Sequence, residues 1–451
     1  MVATSESKYR VIGTRPIRHD GLEKVTGRAL YGADIRMGDL ALGAVLRSPH
    51  AHANIKSIDI SAAEQMPGVL GVITGKDMPF ADLGEKGNVN QKFASNRVMA
   101  GDKVVFKGHP VAAVAAVDTN TALEAAAAIK VEYEVLSPVL LVREAIREGA
   151  PILHDDLSGD HLGESVSSTN IATHFRHELG HPDQAFADAD VVVEREFELA
   201  SAHQGYIEMQ TSTAYWAPDG KITVWTSTQG SFGVRRQTAE ILSMPVSKIK
   251  VIPREIGGGF GGKIPVYLAP QAALLAKKTG RPVKIVMTRA DVFESTGPTP
   301  SSYVKIKLGA DKSGKFLAAD ATFAFAAGAF PGSAVGAGAI CVLSCYSIPN
   351  GVVNGYDVVV NKPRSAAYRA PGSTQVNFGI ETVIDEIAEE LGIDDVEIRL
   401  MNAAEEGTRR VDGAVYPVVG CRSSLCTYCA GFCAVFVLPT ALAKSSSVTC
   451  Q

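Results

Sequence analysis

Ile249-Lys250-Val251-Ile252, followed by Gly257-Gly258-Gly259-Phe260-Gly261-Gly262-Lys263 and then Ala269 to Lys278, is the stretch on which the reading of this chain turns. The first four residues read as a strand. The last ten read as a helix, with Pro270 in the first turn and Gly280 just past the end. Five glycines around one aromatic give a backbone that reaches positive φ and passes close to a flat or anionic ligand. Strand, glycine loop and helix, in that order, bring main-chain N–H groups to bear on phosphate. A phosphate-carrying ligand is the first expectation.

Two motifs match the loop. Gly257-x-Gly259-x-x-Gly262 satisfies the dinucleotide fingerprint, and Gly257-x4-Gly262-Lys263 satisfies most of the P-loop pattern. Ile264, however, stands where a P-loop needs a Ser or Thr for magnesium, and Pro265 follows. A dinucleotide loop opens its domain, whereas this one sits past the middle of the chain. Phosphate or nucleotide binding through residues 257–263, dependent on Lys263, stands as an alternative function.

The 451 residues suffice for two or three domains. A content of 46% hydrophobic and 20% charged residues is that of a globular protein, and a net charge of −4 gives no reason to expect nucleic acid. The uncharged stretch Ala321 to Tyr356 is broken by Pro331, Pro349 and many glycines, so it reads as a buried strand with loops and not a membrane span. Met1 to Arg10 has no apolar run of the kind an export signal needs. Seven cysteines all lie at or after Cys341, which fits a reducing, cytoplasmic location.

The fold class is mixed α/β. After an N-terminal segment of residues 1–19, residues 20–137 form a first α/β unit. It has strands at Val104–Phe106 and Val111–Ala115, an alanine-rich helix capped by Asp118 or Thr119, and a returning strand at Val131–Val135. Residues 138–410 form a second unit, opening on a polar, His-containing connector from His154 to Asp183. Strands at Val191–Glu194 and Ile222–Trp225 follow, with a helix after Gln229. Val376, Ile380, Val383, Ile384, Ile387 and Leu391 recur at helical spacing up to Gly392, and Asp394 with Glu397 caps the next helix. Residues 411–451 stand apart, because none of the 48 Asp and Glu lies beyond residue 412. This tail reads as a truncated or out-of-frame terminus.

Set together, the motifs resemble the molybdopterin-binding large subunit of the xanthine dehydrogenase/aldehyde oxidase family, over residues 10–419. Val25-Thr26-Gly27-Arg28-Ala29-x-Tyr31-x-x-Asp34-Ile35 and Lys107-Gly108-His109-Pro110-Val111-Ala112 look like its α/β hammerhead domain. Ser227-Thr228-Gln229, the glycine loop and Ala367-Tyr368-Arg369-Ala370-Pro371-Gly372 look like its first molybdopterin-binding domain. The resemblance implies that Gln229 offers its side-chain amide beside the metal's oxo group. It implies backbone contacts from Phe260 and Gly261, with Gly259 letting the loop lie against the pterin, and a hydrogen bond from Arg369 on the opposite side.

The implied cofactor is molybdenum–molybdopterin, including the form extended as a cytosine dinucleotide. The implied partners are an iron–sulfur (2Fe–2S) subunit and an FAD subunit of a hetero-oligomer, and the implied substrate is a small organic molecule oxidised with water-derived oxygen. Ile264 stands where purine-oxidising members place a glutamate, Pro371 replaces an aromatic clamp, and Ala370 replaces the cysteine of copper-type carbon monoxide oxidisers. The implied general base is a glutamate beyond residue 451. No residue here takes that role, and this polypeptide alone is expected to be inactive and to hold cofactor poorly.

The tail carries a rival site. Cys421-x4-Cys426-x2-Cys429, with Cys433 or Cys450, matches plant-type ferredoxin spacing and a four-cysteine zinc site alike. Hydrolase readings are weaker, because all ten histidines lie at or before His203. His174, His177 and His181 have helical spacing, but Gly180 and Pro182 make a loop the expectation there.

Overall fold

The computed structural model describes residues 10–11, 14–79 and 89–424, the side chains of 89–91 excepted. The strand Pro110–Ala116 is buried at all seven positions, as its unbroken Val/Ala sequence dictates. It pairs antiparallel with Ala41–Arg47 on one side and Val69–Thr74 on the other. The helix Thr119–Ala128 starts where the Asp118 carboxylate accepts the Thr121 N–H at 2.8 Å, and it buries Ala122, Ala125 and Ala126. Small side chains let this helix lie close to the sheet. Lys103–Val104, Ala53–Asp59 and Lys130–Val135 make a separate three-stranded sheet.

The N-terminal strands do not end in a closed unit of their own. Ala41 pairs in parallel with Val283, which extends the sheet through Val283–Val286, Thr211–Trp216, Ile222–Thr226 and Ile249–Pro253 to seven strands. The helix Ala269–Thr279 packs on this sheet with every residue from Ala269 to Ala276 buried, and Gly280 ends it at φ 68°.

A second seven-stranded sheet runs Val191–Leu199, Ser302–Ala310, Phe316–Gly328, Asn350–Val359, Ile171–Leu179, Ser158–His161 and Glu164–Ser167. The helix Ser373–Leu391 covers its first strands with Val376, Ile380, Val383, Ile384 and Ile387, all buried. Asp394 caps the following helix, Asp395–Asn402, by accepting the Val396 and Glu397 N–H groups. The uncharged stretch supplies two central strands of this sheet, joined through the helix Val335–Cys341.

Two sequence expectations are corrected. Residues 154–183 are not a connector: they hold three strands at one side of the second sheet. Their polarity comes from solvent-facing positions such as Arg176 and Glu178, which pair with each other at 2.8 Å. His174 and His177 sit on a strand, His174 stacked on Tyr356 with ring centroids 4.1 Å apart, so the three histidines share no helical face. The strand expected at Val104–Phe106 is only Lys103–Val104, because Phe106 to His109 turn sharply toward Pro110.

Candidate functional site

Ile222–Thr226 and Ile249–Pro253 are neighbouring parallel strands, so the chain leaves both at the same edge. That topology brings Ser227-Thr228-Gln229 beside the glycine loop. The Gln229 N–H donates to the Lys263 carbonyl at 3.0 Å, and Thr228 Oγ1 donates to the same oxygen at 3.1 Å. Gln229 Oε1 in turn accepts from the backbone N–H groups of Gly261, at 2.8 Å, and Lys263, at 3.2 Å. The amide oxygen is thereby committed to the loop. Gln229 is exposed, and its Nε2 has no partner among the described residues.

The glycines are needed for close approach. A Cβ on Gly261, at φ 108°, would lie 2.4 Å from the Ala367 carbonyl oxygen. One on Gly259 would lie 2.7 Å from Gln229 Oε1. Phe260 between them is left-handed at φ 52°, as is Ala370 at φ 62°. Neither is a glycine, and such strain concentrates at ligand sites. The Arg369 N–H donates to the Phe260 carbonyl at 2.9 Å, which closes the arrangement. Gln229, the loop and Arg369 therefore meet in one place. Phe260 is 52% exposed, Arg369 is exposed with no side-chain partner among the described residues, and the N–H groups of Gly258, Gly259 and Phe260 are likewise unused among those residues.

Behind the loop lies a support that the sequence reading missed. Glu208 Oε2 accepts the Gly257 N–H at 2.8 Å and Lys263 Nζ at 2.5 Å. The Lys263 side chain is completely buried, with its ammonium 5.0 Å from the Tyr206 ring centre. Burial pushes the Lys263 pKa below the usual lysine range even with Glu208 beside it. Gln204 Nε2 ties Gly297 O at 3.0 Å to Ala367 O at 2.8 Å, linking this support to the Arg369 segment. The N-terminal unit reaches the same place, since Lys24 pairs with Glu255 and Tyr31 bridges to it. One signal was present: Gln204, Tyr206, Glu208 and Gln210 alternate with period two, a polar row at strand spacing.

These contacts overturn the phosphate-loop reading. A P-loop lysine must reach outward, and Lys263 is turned inward onto Glu208. The helix starting at Ala269 is also covered, with every residue from Ala269 to Ala276 buried.

The family pattern described as "Molybdopterin cofactor-binding domain" matches residues 164–403, and that described as "Aldehyde oxidase and xanthine dehydrogenase, a/b hammerhead domain" matches residues 26–137. The chain belongs to the xanthine dehydrogenase/aldehyde oxidase family of molybdopterin-binding subunits. It is 35% identical over 389 residues to a probable xanthine dehydrogenase subunit of Bacillus subtilis, covering 86% of this chain and 50% of that one. It is 30% identical over 410 residues to the nicotinate dehydrogenase large molybdopterin subunit of Eubacterium barkeri, covering 90% of this chain and 92% of that one. Among solved structures, the aldehyde oxidoreductase of Desulfovibrio gigas superimposes with a TM-score of 0.82 at 27% identity, over 92% of this chain and 46% of that one. The chain thus spans about half the length of two of these relatives and nearly all of the third.

The hammerhead domain and the molybdopterin-binding domain follow one another in the order the sequence motifs implied. The tail cysteines form no site among the described residues. Cys421 is a free, half-buried thiol, and Cys426, Cys429 and Cys433 lie outside the described residues. Among the described residues no group of three or more His, Cys, Asp or Glu could hold a metal, and no helix is long and apolar enough to cross a membrane.

Proposed function

We propose that the chain is a cofactor-holding subunit of a molybdenum hydroxylase, with Gln229, Gly259, Phe260, Gly261 and Arg369 forming one wall of the molybdopterin site. The observation that carries this is the convergence of three distant motifs on a rim that offers several donors without partners among the described residues: Gln229 Nε2, the Arg369 guanidinium and the N–H groups of Gly258, Gly259 and Phe260. A rim of donors suits an oxo or phosphate oxygen, and the glycines let the loop backbone pack directly against Gln229 and Ala367.

When bound, the molybdenum–molybdopterin group supplies the redox chemistry by which a water-derived oxygen is added to substrate. The chain's own residues orient it. Gln229 is held rigidly through Oε1, so its Nε2 donates in a fixed direction. Phe260 presents a half-exposed ring beside that donor. Arg369 supplies a positive charge with no internal competitor. None of these residues is a carboxylate, so the base for the reaction is another residue. Iron–sulfur and FAD subunits in a cytoplasmic hetero-oligomer take the electrons, and the cofactor is molybdopterin with or without its cytosine dinucleotide extension. Ile264, 47% exposed at the end of the loop, offers no carboxylate for a purine ring, which favours another small organic substrate.

The test is metal and pterin content after co-expression with cofactor-assembly machinery and partner subunits. Molybdenum near one per chain, lost in the Gln229→Leu and Arg369→Met variants, supports the proposal. Equal content in wild type and both variants overturns it.

A further inference from the structure

The strand Ile249–Pro253 is the last of its seven-stranded sheet, so one of its edges pairs with no other strand among the described residues. The Arg254 N–H donates to the Thr226 carbonyl at 3.0 Å, and in this parallel pair Lys250 and Ile252 therefore also turn their main-chain groups inward. Val251 and Pro253 turn theirs outward. The Val251 N–H and C=O and the Pro253 C=O have no partner among the described residues. One outward group is used: the Ile249 carbonyl accepts Arg235 Nε at 2.8 Å. That contact, with a second to the Val246 carbonyl at 3.0 Å, fixes the helix Ser231–Ile241 beside the strand.

Helix and strand together enclose a groove of about 410 Å³. Lys221, Arg235, Lys248 and Lys250 line it, and none of the described residues lining it is acidic. Lys221 is engaged by Asp219 at 2.7 Å. The ammonium groups of Lys248 and Lys250 and the terminal nitrogens of Arg235 have no partner among the described residues. Phe232, 82% exposed, adds an aromatic side chain to the lining, and Val251 contributes as well. Cations, an apolar ring and a free strand edge thus share one groove. Lysines on an edge strand deter pairing with apolar or basic edges. The same charges favour a strand that carries carboxylates, because opposite charges across a strand pair attract.

We propose that this groove docks an extended, acidic segment of a partner polypeptide, which adds a strand along Val251 and sets carboxylates against Lys248, Lys250 and Arg235. The main chain of that segment accepts the Val251 N–H and donates to the Val251 and Pro253 carbonyls. Phe232 receives one of its apolar side chains. No residue of the molybdopterin wall takes part, so the inference stands apart from the cofactor reading.

The test is fluorescence anisotropy of the purified full chain at low salt, with a labelled peptide of about eight residues alternating glutamate with valine. Saturable binding is expected, weakened at least tenfold when lysine replaces glutamate in the peptide. Methylating the peptide's amide nitrogens keeps its charge but removes its donors, and should weaken binding as much. On the protein, Lys248→Glu combined with Lys250→Glu should weaken binding at least tenfold, and Phe232→Ala about threefold. These side chains are exposed, so thermal midpoints should stay within about 2 °C of wild type. The absence of saturable binding, binding indifferent to the lysine reversal, or equal binding of the methylated peptide would each overturn the proposal. So would displacement of the peptide by millimolar inorganic phosphate at constant ionic strength, which would make the groove a site for a small anion. Sedimentation showing a dimer that the lysine reversal dissolves would give the groove to a second copy of the chain, again against the proposal.

Discussion

The Arg369 N–H is bonded to the Phe260 carbonyl at 2.9 Å, joining two segments more than a hundred residues apart by main-chain atoms alone. Both flanks of this bond are left-handed: Phe260 itself at φ 52° and Ala370, next to Arg369, at φ 62°. Side chains at such positions cost about 1–3 kcal/mol each, so the surrounding packing must hold them. This junction is thus made by main-chain atoms, and the Arg369 side chain is left exposed.

Replacing Gly261 by alanine should break this arrangement. The added Cβ combines an unfavourable φ of 108° with an overlap at 2.4 Å from the Ala367 carbonyl oxygen. A loss of about 3 kcal/mol or more is expected in denaturant unfolding. Gly220 is the control. It has φ 80° in a turn with nothing near its Cβ position, so Gly220→Ala should cost about 1 kcal/mol. Equal losses would show that conformational strain alone matters at Gly261.

The Glu208–Lys263 pair gives a second prediction. Breaking a buried ion pair from one side leaves the other charge uncompensated, so Glu208→Ala should cost about 3–5 kcal/mol. Replacing both with apolar residues of similar size, as Glu208→Leu with Lys263→Met, should recover most of that loss in equilibrium unfolding. The double variant should still leave the Gly257 N–H without its acceptor. Hydrogen exchange at Gly257 should therefore remain faster than in wild type even where global stability returns.

What could be read in advance divides along physical lines. Elements whose signal is local were legible: the Asp118 cap and its alanine helix, and the stripe from Val376 to Ile387 ending at Gly392, lie where periodicity put them. The glycine loop was legible as a place of close backbone approach, because several glycines in one turn have few other uses. Lys263 was misleading. Its motif predicts a lysine aimed at phosphate, and only a tertiary contact with Glu208, 55 residues earlier, turns it inward. The strand Ile171–Leu179 was missed because its exposed face is polar, and the Ala41–Val283 pairing that joins the two units has no local signature at all.

His109 should make stability depend on acid. Its ring is fully buried, with Nε2 bonded to the Asn96 carbonyl at 2.5 Å and Nδ1 accepting the Val105 N–H at 3.3 Å, so only the neutral form fits. Burial pushes its pKa down to about 4 from an ordinary 6.5. Between those values the unfolded chain binds a proton that the folded chain refuses, so stability falls as pH drops from 6.5 through 4. The full difference is about 3 kcal/mol. His109→Gln keeps a donor for Asn96 and should flatten this part of the stability–pH curve relative to wild type. Parallel curves for the two proteins would refute the assignment.

Arg369 separates stability from cofactor binding. Its side chain is exposed and bonded to nothing among the described residues, while its backbone N–H does the structural work at Phe260. Arg369→Met keeps that N–H, so unfolding of the cofactor-free chain should change by no more than about 0.5 kcal/mol. Gln229→Leu differs, because Oε1 holds two loop N–H groups; a loss of about 1 kcal/mol is expected for this exposed side chain. If the two residues hold molybdopterin, both variants should lose pterin content despite this difference in stability. Content that instead followed stability, falling for Gln229→Leu and unchanged for Arg369→Met, would mean that the guanidinium serves something other than the cofactor. Measuring pterin fluorescence and unfolding on the same preparations decides between the two.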